Sequence, residues 1–337
     1  MTPITPIGVL NLEDATRSSR RYLFSLMSQV LRGSFPLVRG EPRELGRRIL
    51  RAPRQLAAVG CTWAHYTARS FTHRFRRAPI EVLFYPERPA SMHYVLWKIC
   101  AVLGLRATHE LSQRTALTVL WKDATFIKAS EAALPVKSAP IINATCLDIS
   151  KTNVSRHFSA VFGYSCDVDP FNYYGPCVEK SDENARHDGH IVTAPVPRRR
   201  ADAVYQRVIN NVVQGDLVED IRVPVINGIV PFAYLKYRPT AIRFDSSRNN
   251  IVRLCPAEEA LSAEEIRNIG KFATSIGLDY GELDVLRDRD DGRIYIVDAN
   301  NTPMGPSYRL PSAELRRAVD ILALAFRDEF LTTACCR

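Results

Sequence analysis

The sequence predicts an α+β protein in four parts: an arginine-rich helical N-terminal segment (1–78), a small α/β domain with its linker (79–140), a larger α+β domain (141–312), and a C-terminal helix and tail (313–337). Three observations carry this reading. The net positive charge is confined to the first 78 residues. From "RRAPIEVLFYP" onward short apolar runs alternate with a helical pattern, as in a small α/β unit. In the larger part, Asn227-Gly228 and Asp290-Asp291-Gly292 each sit between alternating apolar runs, which is the signature of a β-hairpin.

Composition bounds the class. At 337 residues, 46% hydrophobic and 24% charged, the chain has ordinary globular composition and can bury one large core or two modest ones. No run of 18 apolar residues occurs, so no transmembrane span is expected. The start, "MTPITPIGVLNLEDATRSSRRYLFSL", lacks the basic and apolar blocks of a secretory signal. Eight cysteines lie scattered without a CxxC pair, which suits free thiols in a reducing cytoplasm better than disulfides or zinc. Residues 1–78 hold 14 arginines, no lysine and four acids, a charge of +10, so the remaining chain is nearly neutral.

Taken in order, residues 12–33 read as an amphipathic helix capped by Asn11 and stopped by Gly33. Residues 43–76 read as helical with a break at Pro53, with Trp63, Tyr66, Phe71 and Phe75 interleaved among arginines. Such a segment packs its apolar stripe on the body, or meets an anionic surface, a nucleic acid or a protein partner, and it allows a membrane-peripheral location. "IEVLFY" and "ALTVLWK" read as strands on either side of the helix "SMHYVLWKICAVLGL", and 129–140 as a linker. A strand from Pro140, a polar turn at Lys151 and a helix from about Asn153 follow. Cys177–Lys180 and His190–Val192 read as two strands around a polar loop. "AVYQRVINNVVQ" then reads as a helix and a strand ending at Gln214, ahead of the hairpin at Asn227-Gly228. Ser262 and Glu265 form a capping box for the helix after them.

The chemistry centres on "GELDVLRDRDDGRIYIVDANNTPMGP". Asp298 and Asn300 are two apart on one strand and share a face, and the hairpin folds Asp284 back beside them. Two carboxylates and an amide oxygen make a hard site suited to Mg²⁺ or Mn²⁺; Asp-x-Asn is also a turn-forming pattern. Lys180 precedes a polar loop and suits phosphate oxygens, and Lys151 at a helix start suits the same anion. Gln214, Asp216 and Leu217 could offer backbone to an adenine edge, with Asp220 accepting from a ribose hydroxyl. The histidines 187 and 190 read as polar filler in that loop.

The order Lys151, Lys180, "EDIRVPVINGIV", then "GELDVLRDRDDGRIYIVDANNTP" resembles the ATP-grasp superfamily over residues 140–310. Its nearest likeness is to the branch of the glutamate-adding ribosomal-protein ligase and glutathione synthetase. The resemblance implies two α+β subdomains clasping ATP, Mg²⁺ held by Asp284, Asp298 and Asn300, and a preceding substrate domain at 79–128. It implies a ligase in which a carboxylate attacks the γ-phosphate and an amine captures the acyl phosphate, both substrates being small molecules or peptides. Lys236 and Arg238, two apart on "AYLKYRP", and Arg222 are then the candidate catalytic cations, and Arg243, Arg248 and Asn249 candidates for substrate carboxylate. Two departures are visible: Asp298 stands where the family usually has glutamate, and "SDENARHDGHI" carries only Gly189 in a loop that is normally glycine-rich. A phosphoryl transfer of another kind, a nucleotide-binding pseudoenzyme, or a non-enzymatic binder acting through residues 1–78 are the alternative readings.

Overall fold

A computed structural model describes residues 60–70, 80–89, 93–133, 140–186, 188–244 and 251–332. The chain divides into two compact units, 1–58 and 59–337, and every described residue belongs to the second. The readings placed on 12–33, on most of 43–76, and on His187, Arg248 and Asn249 lie outside the described residues.

Consecutive burial marks the first sheet. Val82, Leu83 and Phe84 of β1 (Glu81–Pro86) and Leu117 to Trp121 of β3 (Thr115–Trp121) are buried without alternation. Strands covered on both faces read this way. With β2 (Arg106–Thr108) and β4 (Ile141–Ile142) they form a parallel sheet in the order β2-β1-β3-β4. The helix at 60–70 (α1) sends Tyr66 into this core. α2 (Val95–Leu103) ends on Gly104, whose φ of 71° needs no Cβ. The residues Ala129–Ala132, read as linker, form a single helical turn, α3.

α4 (Lys151–Phe162) starts two residues earlier than the sequence suggested. Ser150 caps it by accepting from the Asn153 amide at 3.2 Å, which makes Lys151 its first residue. β5 (Gly175–Ser181), β6 (His190–Ala194) and β7 (Ala203–Arg207) form an antiparallel sheet in the order β6-β5-β7. The expectation of a helix over "AVYQRV" is thereby corrected. Residues 203–207 pair with β5 from Ser181↔Ala203 to Cys177↔Arg207, and Tyr205 packs on Cys177 and Ala194, so sheet pairing outweighs the local apolar spacing.

The third sheet is antiparallel, ordered β11-β10-β9-β12-β13 from β9 (Leu217–Ile226), β10 (Ala233–Pro239), β11 (Ile251–Cys255), β12 (Tyr280–Arg287) and β13 (Ile294–Asn300), with β8 (Val212–Val213) on the start of β9. Asn227 and Gly228 take φ of 48° and 78°, and Ile226 and Ile229 exchange backbone hydrogen bonds across them. That is the two-residue turn the sequence announced. After α5 (Ala257–Ala260), α6 (Ala263–Ser275) carries the expected capping box from Ser262 and Glu265.

Alternation gives this sheet two different faces. Ile221, Val223, Val225, Leu283, Val285 and Ile296 pack with Phe158 of α4 and Phe272 of α6. On the other face, Ile226, Tyr234 and Tyr280 join the core of the first sheet. That core is closed by α7 (Ser312–Phe326), which buries Leu315, Val319 and Leu322 and contacts α2. Asp220, Arg222, Lys236, Glu282 and Asp284 occupy the remainder of the same face by strand parity.

One irregularity decides where Asp298 points. β12 and β13 pair as Val285↔Ile296 and then Asp284↔Asp298, so Val297 is an extra residue in β13. Without it Asp298 would share parity with Ile294 and Ile296 and face the apolar core. The β-bulge turns it onto the face of Asp284.

Candidate functional site

A four-strand row crosses the polar face. In register it runs Tyr234, Arg222, Asp284, Asp298 from β10 to β13. Arg222 is its electrostatic centre, donating through Nε to Glu282 at 2.7 Å and through Nη1 to Asp284 at 2.7 Å. Burial alone would raise the Asp284 carboxyl, but Arg222 and Lys236 outweigh it and hold Asp284 below the usual carboxylate range. The two carboxylates in turn hold the Arg222 guanidinium well above its ordinary value against its burial.

Asp298 is in the opposite condition. Its Oδ1 is buried and has no hydrogen-bond partner among the described residues. Burial pushes its carboxyl up, and the Asp284 charge adds to this, while Lys151 and Lys180 oppose it without prevailing. Lys180 is also held below the usual lysine range, chiefly by burial, and donates to the Val297 carbonyl at 3.3 Å. Lys151 reaches across from α4 to the Glu183 carbonyl at 2.8 Å and Asn184 Oδ1 at 3.3 Å.

These groups surround one cavity of about 190 Å³. Lys151, Lys180, Asp220, Arg238, Asp284 and Asp298 all line it, so six of the residues singled out in the sequence converge although they come from several different elements. Arg243 lines it too. Arg222 is not in the lining and is engaged with the carboxylates of Glu282 and Asp284. Lys236 pairs in register with Asp220 and is not in the lining; its ammonium makes no hydrogen bond or ion pair with a described residue and is held down by burial and by Arg222. Asn300 sits one step along β13, opposite Glu282, and its Oδ1 accepts from the Thr302 amide at 2.9 Å, which closes a local turn.

Gln214, Asp216 and Leu217 are not in the lining. Gln214 and Asp216 are exposed in the β8–β9 turn, and Leu217 opens β9. Their place at the cavity wall is taken by Gln206, Arg207, Ile209 and Asn211. The signal for this segment was present: Val204, Tyr205, Val208 and Ile209 are β-branched or aromatic and run into Asn-Asn, a strand ending in a turn. Both oxygens of Asp220 are already engaged within the fold. Arg238 pairs with its Oδ2 at 2.6 Å and Asn211 donates to its Oδ1 at 3.1 Å. Arg238 also donates to the Arg243 carbonyl, and Arg243 to the Ile209 carbonyl at 2.7 Å, so the predicted substrate arginine instead braces the wall segment.

Among the described residues no group of three His, Cys, Asp or Glu stands ready for a metal, and no helix is long and apolar enough to cross a membrane. A hard cation nevertheless fits beside Asp298 and Asp284 on one observation, while Asn300 lies outside the cavity lining. A buried carboxylate oxygen without a donor is costly, and an oxygen-seeking cation is the group that would satisfy Asp298 Oδ1.

No family model and no curated relative matches the chain. Among solved structures, the chain is similar to the ATP-grasp ligase PsnB complexed with a phosphomimetic variant of a minimal precursor, Mg and ADP, at 16% identity and a TM-score of 0.38, over 55% of this chain and 62% of that one, under two thirds of its length. It is also similar to a RiPP-associated ATP-grasp ligase of Chryseobacterium gregarium in complex with ADP and a leader and core peptide, at 9% identity and a TM-score of 0.46, over 76% and 97% of the two chains. A third is the D-alanine–D-alanine ligase of Bacillus anthracis complexed with ATP, at 13% identity and a TM-score of 0.44, over 76% and 98%. These three structures are named as ligases, two of them as ATP-grasp ligases.

Proposed function

We propose that the chain is an ATP-grasp enzyme that uses ATP to activate a carboxylate as an acyl phosphate, which an amine then captures to form an amide. The observation that supports this best is the meeting of Lys151 and Lys180, from α4 and β5, with Asp284 and Asp298 of the large sheet around one cavity. Lysines and carboxylates lining one cavity suit a polyphosphate together with a divalent metal.

In this reading Lys151 and Lys180 bind phosphate oxygens, and the wall from Gln206 to Ile209 takes the base. Asp284, Asp298 and Asn300 would hold Mg²⁺, which when bound neutralises charge on the transferred phosphoryl group. Arg222 orients Asp284 and keeps it ionised. Lys236, held down by burial and by Arg222, lies outside the cavity lining and would add positive charge beside Asp284 and Glu282 rather than touch the ligand. Asp220 and Arg238 act on the wall rather than on the ligand. The acid and the amine are small molecules or peptides, and the small α/β domain of 79–140 is the natural place for one of them.

The test is ADP release from Mg-ATP across a panel of carboxylic acids, with and without added amines. ADP that requires both an acid and an amine supports the ligase. ADP that requires only an acceptor without an amine replaces it by another phosphoryl transfer, and Mg-ATP binding without turnover reduces the protein to a nucleotide-binding scaffold.

A further inference from the structure

The loop between β5 and β6 (182–189) is fastened at a point the nucleotide reading does not require. Its tip residues Glu183, Ala185 and Arg186 are at the surface, while Asn184 turns inward through both ends of its side chain. Ala185 beside it holds φ at 59°, a left-handed conformation that an alanine adopts only where its surroundings impose it.

Asn184 uses both ends of its amide. Oδ1 accepts from Lys151 Nζ at 3.3 Å, and Nδ2 donates to the Ala299 carbonyl at 3.0 Å, next to Asp298 on β13. Its backbone amide donates to Thr125 Oγ1 at 2.9 Å, in the segment after β3. One loop residue therefore ties together the phosphate-facing lysine, the strand of the metal-binding carboxylate and the small α/β domain. The base of the loop is fixed as well, with Asp182 accepting from the amides of Lys151 and Thr152 at the start of α4. At its far end Gly189 lies so close to Phe244 that an added Cβ would stand 3.2 Å from the ring.

We propose that Asn184 is a positioning residue that latches this loop over the cavity and presents Lys151 to the phosphates, so that phosphate binding, the β13 carboxylate and the small domain respond together. The proposal rests on the nucleotide reading for the ligand but not for the latch. The two contacts need one group that accepts and one that donates. A carboxylate could accept from Lys151 but not donate to the Ala299 carbonyl, and a methyl could do neither.

The test is trypsin cleavage after Arg186, whose side chain is 61% exposed, followed on the full chain by mass spectrometry of the peptide that ends there. Without nucleotide, Asn184→Ala should be cut about fivefold faster than the parent, because the opened loop is more populated. Asn184→Asp keeps the Lys151 contact and should be cut more slowly than Asn184→Ala. Its affinity for Mg-ATP should nevertheless fall about tenfold, because the new charge holds Lys151 back from phosphate. Asn184→Ala should raise KM for ATP about tenfold while leaving kcat within about threefold, a split expected of loop positioning rather than of lost chemistry. Cleavage of Asn184→Ala at the parent's rate overturns the latch. Should the alanine variant fail to fold, Mg-ATP affinity unchanged in Asn184→Asp overturns it instead. Accelerated cleavage in a protein that Mg-ATP neither protects nor stabilises leaves the latch standing and removes the nucleotide reading.

Discussion

Replacing Asp298 by asparagine should move stability in opposite directions with and without ligand. In the ligand-free protein, burial raises the Asp298 carboxyl, and Oδ1 has no described donor. The sign follows from linkage. With the folded value above the unfolded one, the penalty is absent at pH below the ordinary carboxylate range, sets in as pH rises from the unfolded value towards the raised one, and reaches its full size only above the raised value. The substituted amide removes the charge at nearly constant shape, so Asp298→Asn should stabilise the free protein at pH 7 by about 1 kcal/mol, the usual gain on relieving an active-site residue. Mg-ATP at about a hundred times its dissociation constant should add roughly 2.7 kcal/mol to the parent, about 5 °C in Tm for a unit of this size, and nothing metal-dependent to the variant. The assay is thermal unfolding at pH 7 with and without Mg-ATP, repeated with EDTA. A variant less stable than the parent without ligand would refute the account of the buried carboxylate. A variant that keeps the metal-dependent gain would refute the role of Asp298 as a metal ligand.

The other predictions concern the surroundings of that row. Arg222→Met should cost about 3–5 kcal/mol in urea unfolding, because Glu282 and Asp284 are left buried without their cation, and adding Glu282→Gln should recover part of it; a loss under about 1 kcal/mol would contradict this. Lys98 is fully buried, its ammonium donating to the Gly305 carbonyl, and burial holds it down to about 7. Because its folded value lies below the unfolded one, stability should rise with pH between about 7 and the ordinary lysine value; Lys98→Met should flatten that slope and gain about 1–3 kcal/mol at pH 7, and an unchanged slope would count against it. At Gly281 an added Cβ would stand 2.5 Å from the Asn300 carbonyl oxygen, so Gly281→Ala should cost about 1–3 kcal/mol and weaken Mg-dependent binding by displacing β13; unaltered unfolding would show that the two strands give way freely.

What the sequence determined by itself was local. Ser262 with Glu265, and Asn227 with Gly228, set a helix start and a hairpin because each motif satisfies its own backbone within a few residues. Strand parity likewise placed Asp298 and Asn300 on one face, and Lys151, Lys180, Asp284 and Asp298 could be named as one candidate site. The tertiary structure decided whatever depends on a partner distant in the chain. Residues 203–207 are a strand only because β5 lies beside them, which moves the wall of the cavity from Gln214–Leu217 to Gln206–Ile209. Val297 is an extra residue only relative to β12, and this bulge, absent from any pattern in "IYIVDAN", aims Asp298 at Asp284. Arg222, Asp220 and Arg238 looked like ligand contacts as single residues. Carboxylate and guanidinium partners 18 to 62 positions away engage them in the fold, and Asn211 donates to the other oxygen of Asp220, whereas Asp284 is engaged by Arg222 through Oδ2.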